Sequence, residues 1–253
     1  MIDQIRAFAK SLLNYIKYSL RIMFRWIGFE IHRINVKTNK SSQFYAALDF
    51  FNIDLIFDVG ANTGQFAKEI RRTGFAGRII SFEPIPEAYA KLKRRAICDK
   101  FWTIHGRCAL GSQKGKAIIN VSKNSVSSSI LPILEASYSV APETIYIAKA
   151  KVNIITLDSV SEKYLSNSNN YFIKIDTQGF EWQVLNGAKK TLENAKGVLC
   201  ELSLVSLYKG QKMWIHFIHR MEKEGFSLWQ VQQVFLDPKN GRTLQIDAIF
   251  FRK

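Results

Sequence analysis

The chain predicts an α/β fold with a mainly parallel sheet covered on both faces and an antiparallel hairpin at its end. Three observations carry that expectation. After residue 54, short apolar runs alternate with helix-compatible segments. Glycines or a proline stop several of those runs. The last two runs are joined only by Asp237-Pro238-Lys239-Asn240-Gly241, too short for a crossover.

Taken in order, Leu55-Ile56-Phe57-Asp58-Val59-Gly60 is the first buried strand, and Gln65 to Arg72 the helix after it, closed by Gly74 and Gly77. Arg78 to Pro84 is a second strand stopped by its proline, and Pro86 to Ala96 a helix with proline in its first turn. Trp102 to Leu110 is a third strand and its exit. Lys116 to Ser122 and Lys151 to Leu157 are further strands, separated by a serine-rich loop with Ser125, Ser127, Ser128 and Ser129. Tyr171 to Asp176 is again strand-like, and Phe180 to Glu193 reads as one helix opened by the Gln178-Gly179 turn. Gly197 to Leu204, Phe226 to Val231 and Leu244 to Phe251 complete the set.

Composition narrows the function classes. The 253 residues are 47% hydrophobic and 23% charged, as in a folded globular chain, and 14 Gly with 5 Pro exclude collagen-like and low-complexity architectures. Three cysteines, Cys98, Cys108 and Cys200, form no C-x-x-C pair, which speaks against a disulfide framework and a zinc site and suits a reducing compartment. His216 and His219 share a helical face without a carboxylate partner, so packing or surface roles are expected of them rather than metal ligation. No metal site is predicted.

The net charge of +15 is unevenly spread. Residues 1–40 carry Arg6, Lys10, Lys17, Arg21, Arg25, Arg33, Lys37 and Lys40 against Asp3 and Glu30. Ile5, Phe8, Leu12, Leu13, Ile16, Leu20, Met23, Phe24, Trp26 and Ile27 are interleaved at three- and four-residue steps, which predicts a basic amphipathic helix. Charges interrupt any run of about 18 apolar residues, so the segment does not span a membrane, and it lacks a signal-peptide pattern. Residues 1–40 are therefore an extension, and 41–253 the main domain. Two readings of the extension stand level: a helix lying on an anionic membrane surface, or one packing on the domain or on a second copy in a homodimer. Nucleic acid is a weaker partner, because no aromatic-and-glycine RNA-binding signature accompanies the charge.

In an open parallel sheet, ligands bind beyond the carboxyl ends of the strands. The first strand ends in Asp58-Val59-Gly60-Ala61-Asn62-Thr63-Gly64, which is neither G-x-G-x-x-G nor a P-loop. The second ends in Glu83, a carboxylate placed to accept hydrogen bonds from both hydroxyls of a ribose. Asp58 suits a cationic head group. A ribose at one end and an amino acid at the other describe S-adenosylmethionine better than NAD.

With those residues in place, the chain resembles the FkbM-type methyltransferases, a branch of the S-adenosylmethionine-dependent class. The matching stretches run in order: Phe57 to Phe66, Phe82-Glu83-Pro84, Ala109-Leu110-Gly111, Thr156 to Ser159, Ile173 to Glu181 continuing into Val184 to Ala188, and Gln245 to Phe250. The resemblance implies a Rossmann-like sheet of seven strands and S-adenosyl-L-methionine as cofactor. It implies that Asp58, Gly60, Asn62, Gly64 and Gln65 serve the methionine end, Glu83 with Pro84 the ribose, and the stretch from His105 to Ala109 the adenine. Gly106-Arg107-Cys108 stands where the class often has an acidic or amide group, which leaves adenine to backbone contacts.

Methyl transfer to oxygen needs an aligned acceptor and a group to take its proton. Asp176 is the first candidate, with Glu181 and Glu201 beside it; the alternative for Asp176 and Glu181 is to cap the turn at Thr177–Gly179 and the helix behind it. The serine loop either borders the acceptor pocket or merely connects. The expected activity is O-methylation of a hydroxyl on a sugar, glycan or secondary metabolite, in the cytoplasm or at the cytoplasmic membrane face. Two other classes stay open: a nicotinamide-dependent oxidoreductase, which should show tighter glycine spacing, and a non-catalytic membrane-associated binding module on the same fold.

Overall fold

The computed structural model describes residues 2–30, 35–165 and 170–252. They divide into two compact units, Met1–Gln43 and Phe44–Lys253. The first holds α1 (Ile2–Trp26), whose cations and apolar residues segregate to different sides. Arg33, one of the extension's predicted cations, lies outside the described residues.

The second unit is built on a seven-stranded sheet. Its strands are β1 (Leu55–Val59), β2 (Arg78–Phe82), β3 (Trp102–Ile104), β7 (Tyr171–Ile175), β8 (Gly197–Ser203), β9 (Phe226–Leu236) and β10 (Thr243–Arg252). Their order is β3-β2-β1-β7-β8-β10-β9, and β10 alone runs against its neighbours. The order reverses between β1 and β7, so the switch point lies at their carboxyl ends, where Asp58 is the penultimate residue of β1 and Asp176 follows β7.

The central strands are buried on both faces because alternate side chains enter two cores. Leu55, Phe57, Val59, Ile173 and Ile175 pack with Val184, Leu185, Phe217 and Met221 of α7 (Glu181–Asn186) and α9 (Trp214–Lys223). Ile56, Ile79 and Phe172 pack on the other face with Leu48 of α2 (Lys40–Phe50), Ala67 and Ile70 of α3 (Gln65–Arg72), and Leu92 of α4 (Pro86–Ala96).

Three sequence expectations are corrected. In the stretch Trp102–Leu110, read as a third strand and its exit, the strand ends at Ile104; Ala109–Leu110 is a separate strand, β4, in a second sheet. The strands predicted at 116–122 and 151–157 are β5 (Gly115–Ser122) and β6 (Tyr146–Ile155), an antiparallel pair in that second sheet, whose order is β4-β6-β5. The helix predicted over 180–193 is broken into α7 and α8 (Lys189–Asn194) at Gly187-Ala188. A Cβ at Gly187 would overlap the carbonyl oxygen of Gly111, so the break is where the two chain segments touch. Between β5 and β6 lies α5 (Glu135–Val140), and α6 (Glu162–Leu165) precedes β7.

Candidate active site

At the switch point lies a cleft. Its lining is mixed. Phe82, Pro84, Ile85, Cys108, Leu110 and Ile119 are its apolar part, and Asn62, Glu83, Asp176, Thr177 and Gln178 its polar part. The second sheet supplies Ala109, Leu110 and Ile119, and the serine loop supplies Ser125, Val126 and Ser128.

The loop is held rather than loose. Ser129 Oγ donates to the Gln178 carbonyl at 2.6 Å, and the Ser122 and Ser127 backbone N–H groups donate to Ser128 Oγ and Asn124 Oδ1 at 3.0 Å each. Of the two readings of that loop, the structure places it on the border of the cleft.

The glycine turn at the end of β1 is shaped by its neighbours. Gly60 has φ of +75°, and a Cβ there would overlap the Asp176 carbonyl oxygen, so β1 and β7 approach as only glycine allows. Asn62, with φ of +47°, turns the chain so that its N–H donates to Glu83 Oε2 at 2.7 Å. Glu83 Oε1 accepts the Ile85 N–H at 2.8 Å. Both oxygens are thus fixed by backbone donors while keeping lone pairs for a ligand. Burial pushes the Glu83 carboxyl up to about 7, against the pull of those two backbone donors.

Not every predicted residue reaches the cleft. Gly60, Asn62, Glu83, Pro84, Ala109 and Asp176 line it; Asp58, Gly64, Gln65, Glu181 and Glu201 do not. Asp58 is 0% exposed. Its Oδ2 accepts from Ser81 Oγ at 2.8 Å and its Oδ1 lies 3.3 Å from Lys174 Nζ. That second oxygen has no well-formed hydrogen bond, so the ion pair with Lys174 is what compensates its charge. The cation that Asp58 meets is therefore a lysine of the same chain. Gly64 lies under Trp102 and Leu92, where it serves helix-to-sheet packing, and Gln65 is exposed at the start of α3. Of the predicted adenine stretch, Cys108 and Ala109 face the cleft, whereas His105 Nδ1 is 2.7 Å from Tyr164 Oη and its ring packs on Phe82.

Two residues not predicted as site groups organise the polar part. Lys174, buried in β7, places Nζ 3.0 Å from the Gly60 carbonyl, 3.3 Å from Asp58 and 3.5 Å from Asp176. Burial opposes its charge, but Asp176 and Asp58 outweigh burial, so its pKa lies above the ordinary lysine value. The signal for it was a lone cation in the apolar run Tyr171 to Ile175. Gln178 is the second: Nε2 donates to Asp176 Oδ1 at 2.8 Å and to Glu201 Oε2 at 2.5 Å, and Oε1 accepts from Tyr208 Oη at 2.7 Å.

Glu201 also accepts from Gln245 Nε2 at 2.9 Å; burial, then the charge on Asp176, pushes it well above the usual carboxylate range. Glu181 Oε1 accepts the Thr177 and Gly179 N–H groups at 2.8 and 3.0 Å, so it ties that turn, while α7 itself has no side-chain cap; burial raises its carboxyl to about 7. His216 and His219 are exposed on α9, and among the described residues no cluster of His, Cys, Asp and Glu could hold a metal ion.

Solved structures match the chain at low identity. A SAM-dependent methyltransferase from Aquifex aeolicus matches with 10% identity over 85% of this chain and 92% of that one, at a TM-score of 0.42. TehB from Haemophilus influenzae matches with 8% identity over 90% of this chain and 64% of that one, at a TM-score of 0.45. No curated protein sequence matches the chain. Residues 58–228 match the model of the FkbM methyltransferase domain, well over half of the chain, and the protein belongs to that S-adenosylmethionine-dependent family.

Proposed function

We propose that the protein O-methylates a neutral, hydroxyl-bearing acceptor of the sugar, glycan or secondary-metabolite kind, with Asp176 as general base. The observation that carries this reading is the ionisable content of the cleft: among the described residues its lining holds Glu83, Asp176 and Cys108, and no Lys, Arg or His. Burial raises the Cys108 thiol to about 11, so it stays protonated at neutral pH and takes no part as a nucleophile. With Lys174 buried and committed to Asp58, Asp176 and the Gly60 carbonyl, the lining presents carboxylates rather than a cation to an acceptor that would react through a phosphate or carboxylate. It suits a neutral hydroxyl, which needs a base.

The donor set fits S-adenosylmethionine. Glu83 is a fixed carboxylate for the ribose diol, the apolar part accepts a purine face, and the turn at Gly60–Asn62 with Gln178 borders the amino-acid end. When bound, that cofactor supplies an electrophilic methyl group and leaves as the neutral thioether. This chain's residues do the rest. Asp176, held at one oxygen by Gln178 and near Lys174 at the other, offers a lone pair to the acceptor's hydroxyl proton. Glu181 and Glu201 act through the turn that carries Asp176 and Gln178, as positioning residues.

The test is methyl transfer from labelled cofactor to neutral glycosides and polyols, followed by hydrolysis of the product. A base-stable methyl ether that disappears with Asp176→Asn supports the proposal. A base-labile methyl ester, or a methylated amine, refutes it.

A further inference from the structure

The segregation of charge on α1 bears on a function other than methyl transfer and does not depend on it. We propose that α1 is a docking surface for an anionic lipid bilayer, lying in the plane of the interface. At 3.6 residues per turn, Arg6, Lys10, Lys17, Arg21 and Arg25 fall within an arc of about 100°. Leu12, Leu13, Ile16, Leu20 and Met23 fill the adjacent arc of about equal width, and each is between 43 and 53% exposed. Phe8, Tyr15 and Trp26 border that stripe on its other side and are more exposed still.

Three features select a membrane. The helix carries five cations and one acid, Asp3, so two copies joined along the apolar stripe would bring like charges together with little to offset them. Nucleic acid offers phosphates but nothing to cover Leu12, Ile16 and Leu20. An anionic bilayer offers both at the right depth: acyl chains beneath the stripe, phosphates level with the lysines and arginines, and a boundary that favours Trp and Tyr. Twenty-five residues make a rod of roughly 37 Å, and no described helix is long and apolar enough to cross a membrane. Arg25 is also paired with Glu30 at 2.9 Å, a pair that exposure leaves weak against competing phosphates.

The experiment is co-sedimentation of the full chain with phosphatidylcholine vesicles, with and without about 30% phosphatidylglycerol, near physiological salt. The expected result is partitioning at least about tenfold stronger onto the anionic vesicles. Leu12→Glu with Leu20→Glu should abolish it while leaving the urea midpoint unchanged. Arg6→Gln, Lys10→Gln, Lys17→Gln and Arg21→Gln together should remove the preference for phosphatidylglycerol. Lys116→Gln, Lys149→Gln and Lys151→Gln, exposed cations of the β5–β6 pair, should change partitioning by no more than about twofold if α1 is the site. Equal loss from both charge variants would mean diffuse attraction by a basic protein, and the proposal would fail. It would fail equally if neither vesicle bound, if the Leu12→Glu, Leu20→Glu protein changed only its oligomeric mass, or if an RNA oligonucleotide bound where vesicles did not.

Discussion

Asp58, inside β1, and Asp176, just past the end of the adjacent parallel β7, stand near the same end of the sheet, and the same lysine stands beside both. Their environments differ. Asp58 is sealed between Ser81 and Lys174, with none of its surface exposed, whereas the Asp176 side chain keeps 28% of its surface and lines the cleft. One aspartate completes the interior and the other faces the cleft. A carboxylate at a strand end thus acquires its task from what lies across from it, and Lys174 divides the two tasks here.

The largest effect should come from removing that lysine. Lys174→Met leaves Asp58 with a buried charge and no cation, and a loss of about 3–5 kcal/mol in unfolding free energy is expected from urea titration. A loss under about 1 kcal/mol would show that the pair is not what holds the two strand ends.

The two aspartates should then separate by assay. Asp176→Asn should lower turnover by about a hundredfold or more while moving stability by no more than about 1 kcal/mol. Asp58→Asn should do the reverse, costing about 2 kcal/mol of stability and leaving turnover within about tenfold. If Asp58→Asn abolished turnover in a fully folded protein, the sealed residue would have a chemical role that its surroundings do not suggest.

Glu181 extends the comparison to a carboxylate that is buried yet tied to its turn by backbone donors. Its folded-state pKa is raised to about 7 from an ordinary 4.5, burial being the main cause. Between those values the native state holds the proton more tightly than the unfolded chain does. Stability should therefore fall as pH rises from about 4.5 to about 7 and level off above, by up to about 3 kcal/mol from this group. Glu181→Gln keeps an oxygen that can accept from Thr177 and Gly179 but cannot ionise, so its unfolding curve should be flatter over that range. Turnover retained by the same variant would place Glu181 outside the proton transfer.

Much of this arrangement was legible in residue order. The apolar runs at 55–59, 171–175 and 197–203 are strands because both faces are buried, and the glycine turn, Glu83 and Asp176 fall at the strand ends as sequence spacing suggests. What was hidden depends on partners distant in the chain. Residues 116–122 read as a strand, but nothing local says that their partner is 146–155 or that the pair stands in a second sheet. The helix after Gly179 reads as continuous because the break at Gly187 comes from Gly111, seventy-six residues earlier in number. Asp58 looked like a ligand group because its cation, Lys174, sits in a run otherwise typical of a buried strand. The α2 helix went unpredicted; Phe44 and Leu48 are buried, but its apolar residues form no clear stripe in sequence.

Glu83 supplies the finest test, because it shares burial with Asp58 and access to the cleft with Asp176. Each of its oxygens already accepts a backbone N–H, an arrangement that favours the carboxylate, yet burial holds its pKa near 7. Ribose hydroxyls donating to the remaining lone pairs favour the ionised form further, so binding below that pKa must expel a proton. The affinity for S-adenosylhomocysteine should rise as pH goes from 6 toward 8 and then level off, and titration in buffers of different ionisation enthalpy should register proton release at the lower pH. Glu83→Gln should remove the slope and weaken binding about tenfold at pH 8, roughly 1.4 kcal/mol. A slope that survived the substitution would assign the titration to another group, Glu181 first, and would break the link between the buried carboxylate and the ribose.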